Sequence, residues 1–430
     1  MNYICNHLPF SYPFTFGIQN GPTNAIFVIN IFTMRNISLI TGIFFLAFYI
    51  LITFLGWINL RVVFRHYRGL RNLSLAYFLV SLIIILGFTI LFIYPFRAHS
   101  ATNYSLYFIF NSLLILVLFS KIPVALAGLV TLPFYKVRFR YHIAFAGSML
   151  SLGVALAMLW GFTLGPRILD KNHIEIQYEN LPDEFDGFRI TQLSDFHLGN
   201  FNYTGILADA IEENNHFNPH IFLFTGDLVN NFDEETHNLH DYFMRFSSSY
   251  GKFAILGNHD YGDYYRWPDQ DRRLDNFQGI IEGFGNYGFD LLRNESRKIK
   301  IKQDSIFIVG VENWGHPPFQ QYADLEKAVT GIQPNDFRIL LTHDPAHWDT
   351  MVRSMPGYPL TLSGHSHGAQ WGIKMAGFDF SLISFSRKTW GGLYQDDNNY
   401  LYVNKGIGTI GLPFRLDMPP EITFITLRRK

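Results

Sequence analysis

The sequence holds one cysteine in 430 residues, Cys5, so it can build neither a disulfide framework nor a thiolate metal cluster. Charge is scarce as well. Asp, Glu, Lys and Arg make up 16% of the residues, against about 25% in ordinary soluble domains. With 48% hydrophobic residues, that balance excludes an intrinsically disordered chain. The scarcity is sharpest for acids. No Asp or Glu precedes Asp170, whereas eleven Lys and Arg do, so the first part carries +11 and the remainder −12. The net charge of −1 therefore hides two physically different halves.

The first half contains four long apolar runs, about Ile37 to Leu60, Leu73 to Phe96, Leu106 to Leu132 and Ile143 to Leu164. Each meets the roughly 18–20 residues needed to cross about 30 Å of hydrocarbon. A buried core helix of that length would show a charged face, and a signal peptide would be one run rather than four. Lys121 lies inside the third run, which predicts that this helix ends near Ser120 with Lys121 snorkelling to the interface. Between the first two runs stand Arg61, Arg65, Arg68 and Arg71, and between the last two stand Lys136, Arg138 and Arg140. The middle loop holds only Arg97. This bias places the first and third loops in the cytoplasm and everything after Gly165 on the opposite side. A single cysteine is compatible with that oxidising side. The expected organisation is an extension over 1–33, a four-helix transmembrane region over 34–166 and a catalytic domain over 167–430.

After Pro166 the pattern changes to short apolar runs between polar loops: Phe188–Leu193, His220–Phe224, Lys252–Leu256, Ser305–Val311, Phe337–Leu341 and Pro359–Leu362. Such runs suit strands buried in a layered α/β core, with Ile206–Asn214 and Tyr322–Val329 as intervening helices. The chemistry lies in the residues just past the strands. Five strands end in Asp195-Phe-His197, Gly226-Asp227, Gly257-Asn258-His259-Asp260, His343 and Gly364-His365-Ser-His367. Asp, Asn and His are hard and borderline ligands suited to Mn, Fe or Zn. Residues i and i+2 share a face in extended chain, so each Asp-x-His or His-x-His pair is expected to aim both members at one place. The glycines are expected to permit the sharp turns such loops need. A lone strand-end His is usually a satisfied polar residue. Five such motifs in one order are not accidental.

The series D-x-H, G-D, G-N-H-D, H, G-H-x-H resembles that of the calcineurin-like metallophosphoesterases. The stretch Tyr402-Val-Asn-Lys-Gly406-Ile-Gly408, then Pro413-x-Arg415 and Pro420-Glu-Ile-Thr, resembles the membrane-associated bacterial YkuE/YaeI-like subfamily. The likeness spans about residues 175–430 and leaves the four-helix part outside. It implies an αββα sandwich, two packed β-sheets flanked by helices, that binds two divalent or trivalent metal ions. One ion would be held by Asp195, His197 and His367. The other would be held by Asn258, His343 and His365, with Asp227 bridging both. A hydroxide between the ions would be the nucleophile, and His259 would act near the leaving-group oxygen. Many relatives carry Asp three residues after the bridging Asp. Asn230 stands there in this chain, and a contact from its side chain to His259 would be neutral.

The resemblance implies a phosphoesterase, acting on a phosphodiester or phosphomonoester, anchored in a bacterial inner membrane with its domain outside the cytoplasm. Lipid-linked or envelope-precursor phosphoesters would lie within reach of such a domain. Tyr261, Tyr264, Tyr265, Trp267, Trp314 and Phe319 are candidates to hold an apolar portion of substrate, with ordinary loop packing as the alternative. The competing class is a membrane transporter or sensor with a regulatory or inactive phosphoesterase-like domain. Acidic residues within the membrane would favour it, and there are none. No nucleic-acid-binding pattern is evident. His347 is expected at the surface or behind the site, and His216, His220, His237 and His240 in solvent.

Overall fold

The computed structural model describes residues 39–66, 69–93, 101–134, 136–200, 204–315, 320–375 and 378–430. The expected extension over 1–33, Arg68, Arg97 and Phe319 lie outside the described residues. Four helices occupy the first half: α1 Leu39–Val63, α2 Arg71–Ile93, α3 Ala101–Thr131 and α4 Arg140–Thr163. All four are long and apolar enough to cross a membrane. Without a hydrophobic drive between helices in lipid, close approach depends on small residues and shared polar groups. Gly128 of α3 lies against the Leu55 carbonyl of α1, and Gly147 of α4 against Ala127 of α3, too close in both cases for a side chain. Asn59 Nδ2 of α1 donates to the Ala144 carbonyl (3.0 Å) and to Ser148 Oγ (2.9 Å) of α4.

The end expected for the third helix at Ser120 is not there. α3 continues through Lys121 and Pro123 to Thr131. Lys121 does not snorkel. It is 5% exposed, donates to Thr53 Oγ1 at 3.1 Å and to Ser81 Oγ, and lies 4.8 and 4.4 Å from the rings of Tyr49 and Tyr77. Partners on α1 and α2 keep the ammonium inside the bundle.

The second half builds fourteen strands: β1 Asp170–Tyr178, β2 Phe188–Leu193, β3 Ile221–Phe224, β4 Lys252–Ala254, β5 Asp290–Leu291, β6 Glu295–Ile301, β7 Asp304–Gly310, β8 Phe337–Leu341, β9 Leu360–Ser363, β10 Gly372–Met375, β11 Phe378–Ser381, β12 Gly392–Asp396, β13 Asn399–Val403 and β14 Glu421–Arg429. One sheet runs β1-β14-β2-β3-β4-β5 and the other β12-β13-β9-β8-β7-β6, with β10 and β11 forming a separate hairpin. The strands that end in the sequence motifs, β2, β3 and β4 in one sheet and β8 and β9 in the other, pair in parallel with their sequence neighbours.

β3 shows why its run is apolar at every position. Ile221 and Leu223 join Ile190, Ile339, Leu341 and Leu362 in the core between the sheets. Phe222 and Phe224 face the opposite way, against helices α5 (Thr204–Phe217) and α6 (Gln270–Asn286), which contribute Leu207, Ile211, Ile280 and Phe284. A strand covered on both faces has no reason to alternate with polar residues. The outer face of the second sheet is covered in the same manner by Leu325, Ala328, Trp348 and Val352. The result is the expected four layers, helix, sheet, sheet, helix.

Candidate metal centre

Both sheets present the carboxyl ends of their parallel strands at one edge, and the motif loops meet there. The loops are laced by backbone bonds: Asp195 N donates to Gly226 O (2.9 Å), His197 N to Asp227 O (3.2 Å) and Gly364 N to His343 O (3.1 Å). Asp195, His197 and His367 form one group whose donor atoms lie within 4.8 Å of one another, and Asp227, His343 and His365 form another. Asp227 Oδ2 lies between the two groups, 3.6 Å from His197 Nε2 and 3.2 Å from His343 Nε2. Asn258 Oδ1 stands 3.1 Å from His343 Nε2 and so joins the second group.

These pairs are not extended chain, although the residues do converge. Asp195 (φ 54°), His197 (φ 47°), Asp227 (φ 59°), His365 (φ 71°) and His367 (φ 49°) all lie in the left-handed region. Asp and His enter it more readily than most residues, and each such position costs on the order of 1 kcal/mol. The turn geometry sends His365 and His367 to different groups instead of one. Gly226 supplies a turn as expected, at φ 97°. At Gly364 the reason is proximity, since a side chain there would collide with Ser194 and Asp195.

The donors fit a cation better than they fit one another. His197 Nε2 and His367 Nε2 face each other at 3.0 Å, although two neutral imidazoles can share only one proton between them. His197 Nδ1 is buried with no hydrogen-bond partner among the described residues. His343 Nδ1 is held by the Thr225 carbonyl at 2.7 Å, which leaves its Nε2 facing Asp227, Asn258 and, at 3.3 Å, His365 Nδ1. Orientation of one imidazole nitrogen by a carbonyl is what a metal-ligating histidine requires. The electrostatics point the same way. Burial opposes ionisation of Asp195 and Asp227, yet the facing histidines hold both carboxyls well below the usual range. Burial would also depress His343, but the Asp227 carboxylate prevails and pushes it up to about 10. Burial lowers His197 and His365, the latter to about 4, which keeps both imidazoles neutral and able to donate a lone pair.

His259 lies beside the groups, its ring 4.9 Å from that of His197 and stacked 4.2 Å over Tyr264. Its backbone N–H donates to Asp227 Oδ1 at 2.8 Å. The contact anticipated from the Asn230 side chain is made by the Asn230 main chain instead: His259 Nδ1 faces that carbonyl at 2.8 Å. The Asn230 amide turns away, donating to Glu235 Oε2 (3.2 Å) and accepting from Asn200 Nδ2 (3.3 Å).

Several supporting residues are not among the expected ligands. Asp260, the last letter of G-N-H-D, binds no donor group directly. Its carboxylate accepts the amides of Asp227 (2.9 Å), Gly257 (2.8 Å), Leu228 (2.8 Å) and Val229 (3.2 Å) and so shapes two motif loops. Burial and the nearby Asp227 push it up to about 8. Asp344 pairs with Arg387 at 2.5 Å and faces His365 Nε2 at 3.9 Å. Arg415, 1% exposed, donates to the carbonyls of Lys405 and Gly406 at 3.0 Å and places Nη2 3.4 Å from His367 Nδ1. Adjacency to a motif could have flagged Asp260 and Asp344; nothing local marks Arg387.

Of the candidate aromatics among the described residues, only Tyr264 touches the site. Tyr261 is buried between Phe277 and Tyr322, Tyr265 and Trp267 pack on Phe232, and Trp314 stacks on His347 at 4.3 Å. His347 is fully buried rather than at the surface, 3.0 Å from Thr342 Oγ1, and burial lowers it to about 4. His220 is half-buried, accepting from the Arg189 amide at 2.8 Å and stacking on Phe188.

The last of the four long apolar helices reaches this edge directly. The Arg415 amide donates to the Gly161 carbonyl of α4 at 2.8 Å. The Phe414 ring seats on Gly161 and lies 4.8 Å from Phe162.

Residues 188–369 match the family described as Calcineurin-like phosphoesterase. The chain is 29% identical over 272 residues to the uncharacterized metallophosphoesterase YkuE of Bacillus subtilis, covering 62% of this chain and 87% of that one. It is 27% identical over 277 residues to a transmembrane protein with metallophosphoesterase domain of Danio rerio, covering 61% of this chain and 58% of that protein. It is also 27% identical over 317 residues to the UDP-2,3-diacylglucosamine pyrophosphatase LpxG of Chlamydia trachomatis, covering 62% and 92% respectively.

Proposed function

We propose that this chain, which carries a calcineurin-like phosphoesterase domain, is a membrane-anchored hydrolase that cleaves phosphate esters with the aid of two metal ions. The observation that carries this reading is the pair of donor groups sharing Asp227 Oδ2. Asp195, His197 and His367 would hold one ion, Asn258, His343 and His365 the other, and Asp227 both. Ions there would supply Lewis-acid charge to a phosphoryl group and lower the pKa of water toward neutrality.

The chain's own residues then do the positioning. Asp260 fixes the loop that carries Asp227 through four amides, and Thr225 O orients His343. In hydrolysis a water oxygen bonds to phosphorus while the bond to the leaving oxygen breaks. His259 would return a proton to that oxygen. Its Nδ1 is committed to the Asn230 carbonyl, so Nε2 is the atom available for the transfer, and Tyr264 holds the ring plane by stacking. Phosphodiesters or pyrophosphates borne by an amphiphile are the substrate class we favour. Support comes from the Chlamydia relative, whose name makes it a diacylglucosamine pyrophosphatase, and from the contact of α4 with Phe414 and Arg415. The arginines near Arg61 and Arg138 would face the cytoplasm, and the domain the opposite side.

The test is hydrolysis by purified full-length protein of bis-p-nitrophenyl phosphate, p-nitrophenyl phosphate and a phospholipid panel, with Asp227→Asn alongside. The variant is expected to lose at least about a thousandfold in rate, of the order seen when a transition-state charge stabiliser is removed, while still inserting into membranes. Near-parental turnover with unchanged metal content would sink the two-ion assignment.

A further inference from the structure

Outside the membrane helices, large exposed apolar side chains are few. Among the described residues of the domain they are Ile168, Met244, Tyr250, Leu274, Ile373, Leu382, Phe385 and Leu393. Three of the eight fall within thirteen residues, on the β10–β11 hairpin and the turn after it: Ile373 (48% exposed), Leu382 (46%) and Phe385 (81%). Scattered single apolar residues need no explanation, but a cluster does.

The hairpin does not hang free. Its base is pinned by Ser381 Oγ, which donates to the Gly368 and Trp371 carbonyls at 2.5 and 3.3 Å. The Gly372 amide donates to Leu416 O at 3.0 Å, and the Leu416 amide to Gln370 O at 2.9 Å. Leu416 comes directly after Phe414 and Arg415, the pair seated on the end of α4. The Trp371 ring itself packs edge-on against Phe119 of α3, with centroids 5.8 Å apart. Phe119 belongs to the apolar span Ile109–Thr131, ten residues past its first residue. If α3 crosses a membrane, the hairpin is held beside its hydrocarbon-facing part.

We infer that the two hairpin strands and the turn after them, described over 371–375 and 378–385, form a membrane-inserted wedge. Ile373, Leu382 and Phe385 enter the acyl layer beside α3, with the Trp371 ring packed on Phe119. The occupant of this surface is the lipid bilayer, because the patch is continuous with the membrane helices through Trp371 and Phe119. A two-stranded hairpin leaves outer backbone groups unpaired, and these cannot be carried into hydrocarbon. The backbone therefore lies in the interfacial layer with only the apolar side chains inserted. Lys374 stays outside that layer, paired with Asp170 at 3.5 Å. The wedge starts four residues after His367 and ends two before Arg387, whose Nη2 lies 3.3 Å from His365 Nε2. Insertion would therefore fix the metal centre at the height of lipid phosphates. This inference rests on the membrane reading of α1–α4, and the test separates the two.

Single cysteines replace Phe385, Leu382, Leu150 and Tyr250 in turn, each in a Cys5→Ser background. Each is labelled with an environment-sensitive fluorophore and reconstituted as full-length protein in phosphatidylcholine and phosphatidylglycerol vesicles. Leu150 lies on α4 and is 61% exposed, whereas Tyr250 is 40% exposed and on the domain. Probes at Phe385 and Leu382 are expected to be quenched by doxyl-labelled lipids at least half as strongly as the probe at Leu150, and to resist aqueous iodide. The probe at Tyr250 should show the reverse. Iodide quenching at Phe385 and Leu382 equal to that at Tyr250, with Leu150 still lipid-quenched, would overturn the wedge alone. Iodide quenching at Leu150 as well would overturn the membrane reading and the wedge with it.

Discussion

Two buried lysines show how differently the two halves handle a charge. In the domain, Lys405 is 8% exposed and meets carboxylates, Glu421 at 2.9 Å and Asp170 at 3.5 Å. Burial would lower its pKa, but Glu421 outweighs burial and raises it. In the helical bundle, Lys121 is buried to a similar degree and meets no carboxylate, because the chain has none before Asp170. Two hydroxyls and two aromatic faces surround it instead. Such contacts stabilise a desolvated cation by roughly 2 kcal/mol each at best. The domain uses acidic residues for pairing and for lacing its loops, whereas the bundle relies on dipoles and π faces.

That contrast can be broken by substitution, and the largest effect is expected at Lys405. Lys405→Met would leave Glu421 buried and without its cation, with only Tyr402 Oη (2.6 Å) and Thr423 Oγ1 (2.9 Å) donating to it. Removing one partner of a buried pair costs about 3–5 kcal/mol, so denaturant unfolding of the domain should shift by that amount. A shift below about 1 kcal/mol would mean that Glu421 is comfortable alone.

A smaller effect is expected at Asn230→Asp. The side chain faces Glu235, whose carboxyl is raised by burial despite accepting the amides of Gly199, Asn230, Asn231 and Phe232. A second carboxylate there loses a donor and adds a like charge, costing about 1–3 kcal/mol. The raised acids set the sign. A carboxyl whose folded pKa lies above its unfolded value contributes stability that is fully present below about pH 4 and is lost as pH rises through the folded value. The variant should therefore unfold more readily at pH 8 than at pH 5. Its pH–rate profile should overlay the parent's, because His259 contacts the Asn230 main chain. Equal stability at both pH values, with an alkaline limb moved upward, would restore the side-chain contact anticipated from the sequence.

The smallest effect is expected inside the bundle. Lys121→Met removes a desolvated cation and leaves Thr53 and Ser81, of which Ser81 Oγ already donates to the Tyr77 carbonyl at 2.6 Å. No buried charge is orphaned, so thermal unfolding in detergent should change by less than about 1 kcal/mol. A loss as large as that at Lys405 would show that the two lysines are held alike.

The same contrast explains what is legible in the sequence. Sustained apolar length is one rule that applies to every residue of a long run, so α1, α2 and α4 can be read to within about five residues at either end. The end expected for α3 at Ser120, by contrast, falls eleven residues short of Thr131. A strand buried on both faces, such as β3, announces itself as an unbroken apolar run. β1 and β14 do not stand out as a pair: β1 alternates buried and exposed positions at the sheet edge, and its partner lies some 250 residues away. Helix α6 escapes the apolar pattern because its N-terminal half, Gln270–Asn276, is largely charged or polar, although Asp269 caps it by accepting from the Arg272 amide. The strand-end motifs name the residues that converge, yet the local rule offered for them, extended-chain alternation, is wrong. Loop lacing and left-handed turns bring them together, and those depend on Asp260, Gly364 and contacts between sheets. Lys121 defeats a local reading for the same reason: its partners come from other helices.

The central claim is that two ions occupy the two donor groups. Metal content of purified full-length protein, measured beside hydrolysis of bis-p-nitrophenyl phosphate, tests it most directly. Two equivalents per chain are predicted, with activity lost on chelation and restored on adding back Mn, Fe or Zn. Full hydrolysis by protein stripped to less than about a tenth of an equivalent would contradict it.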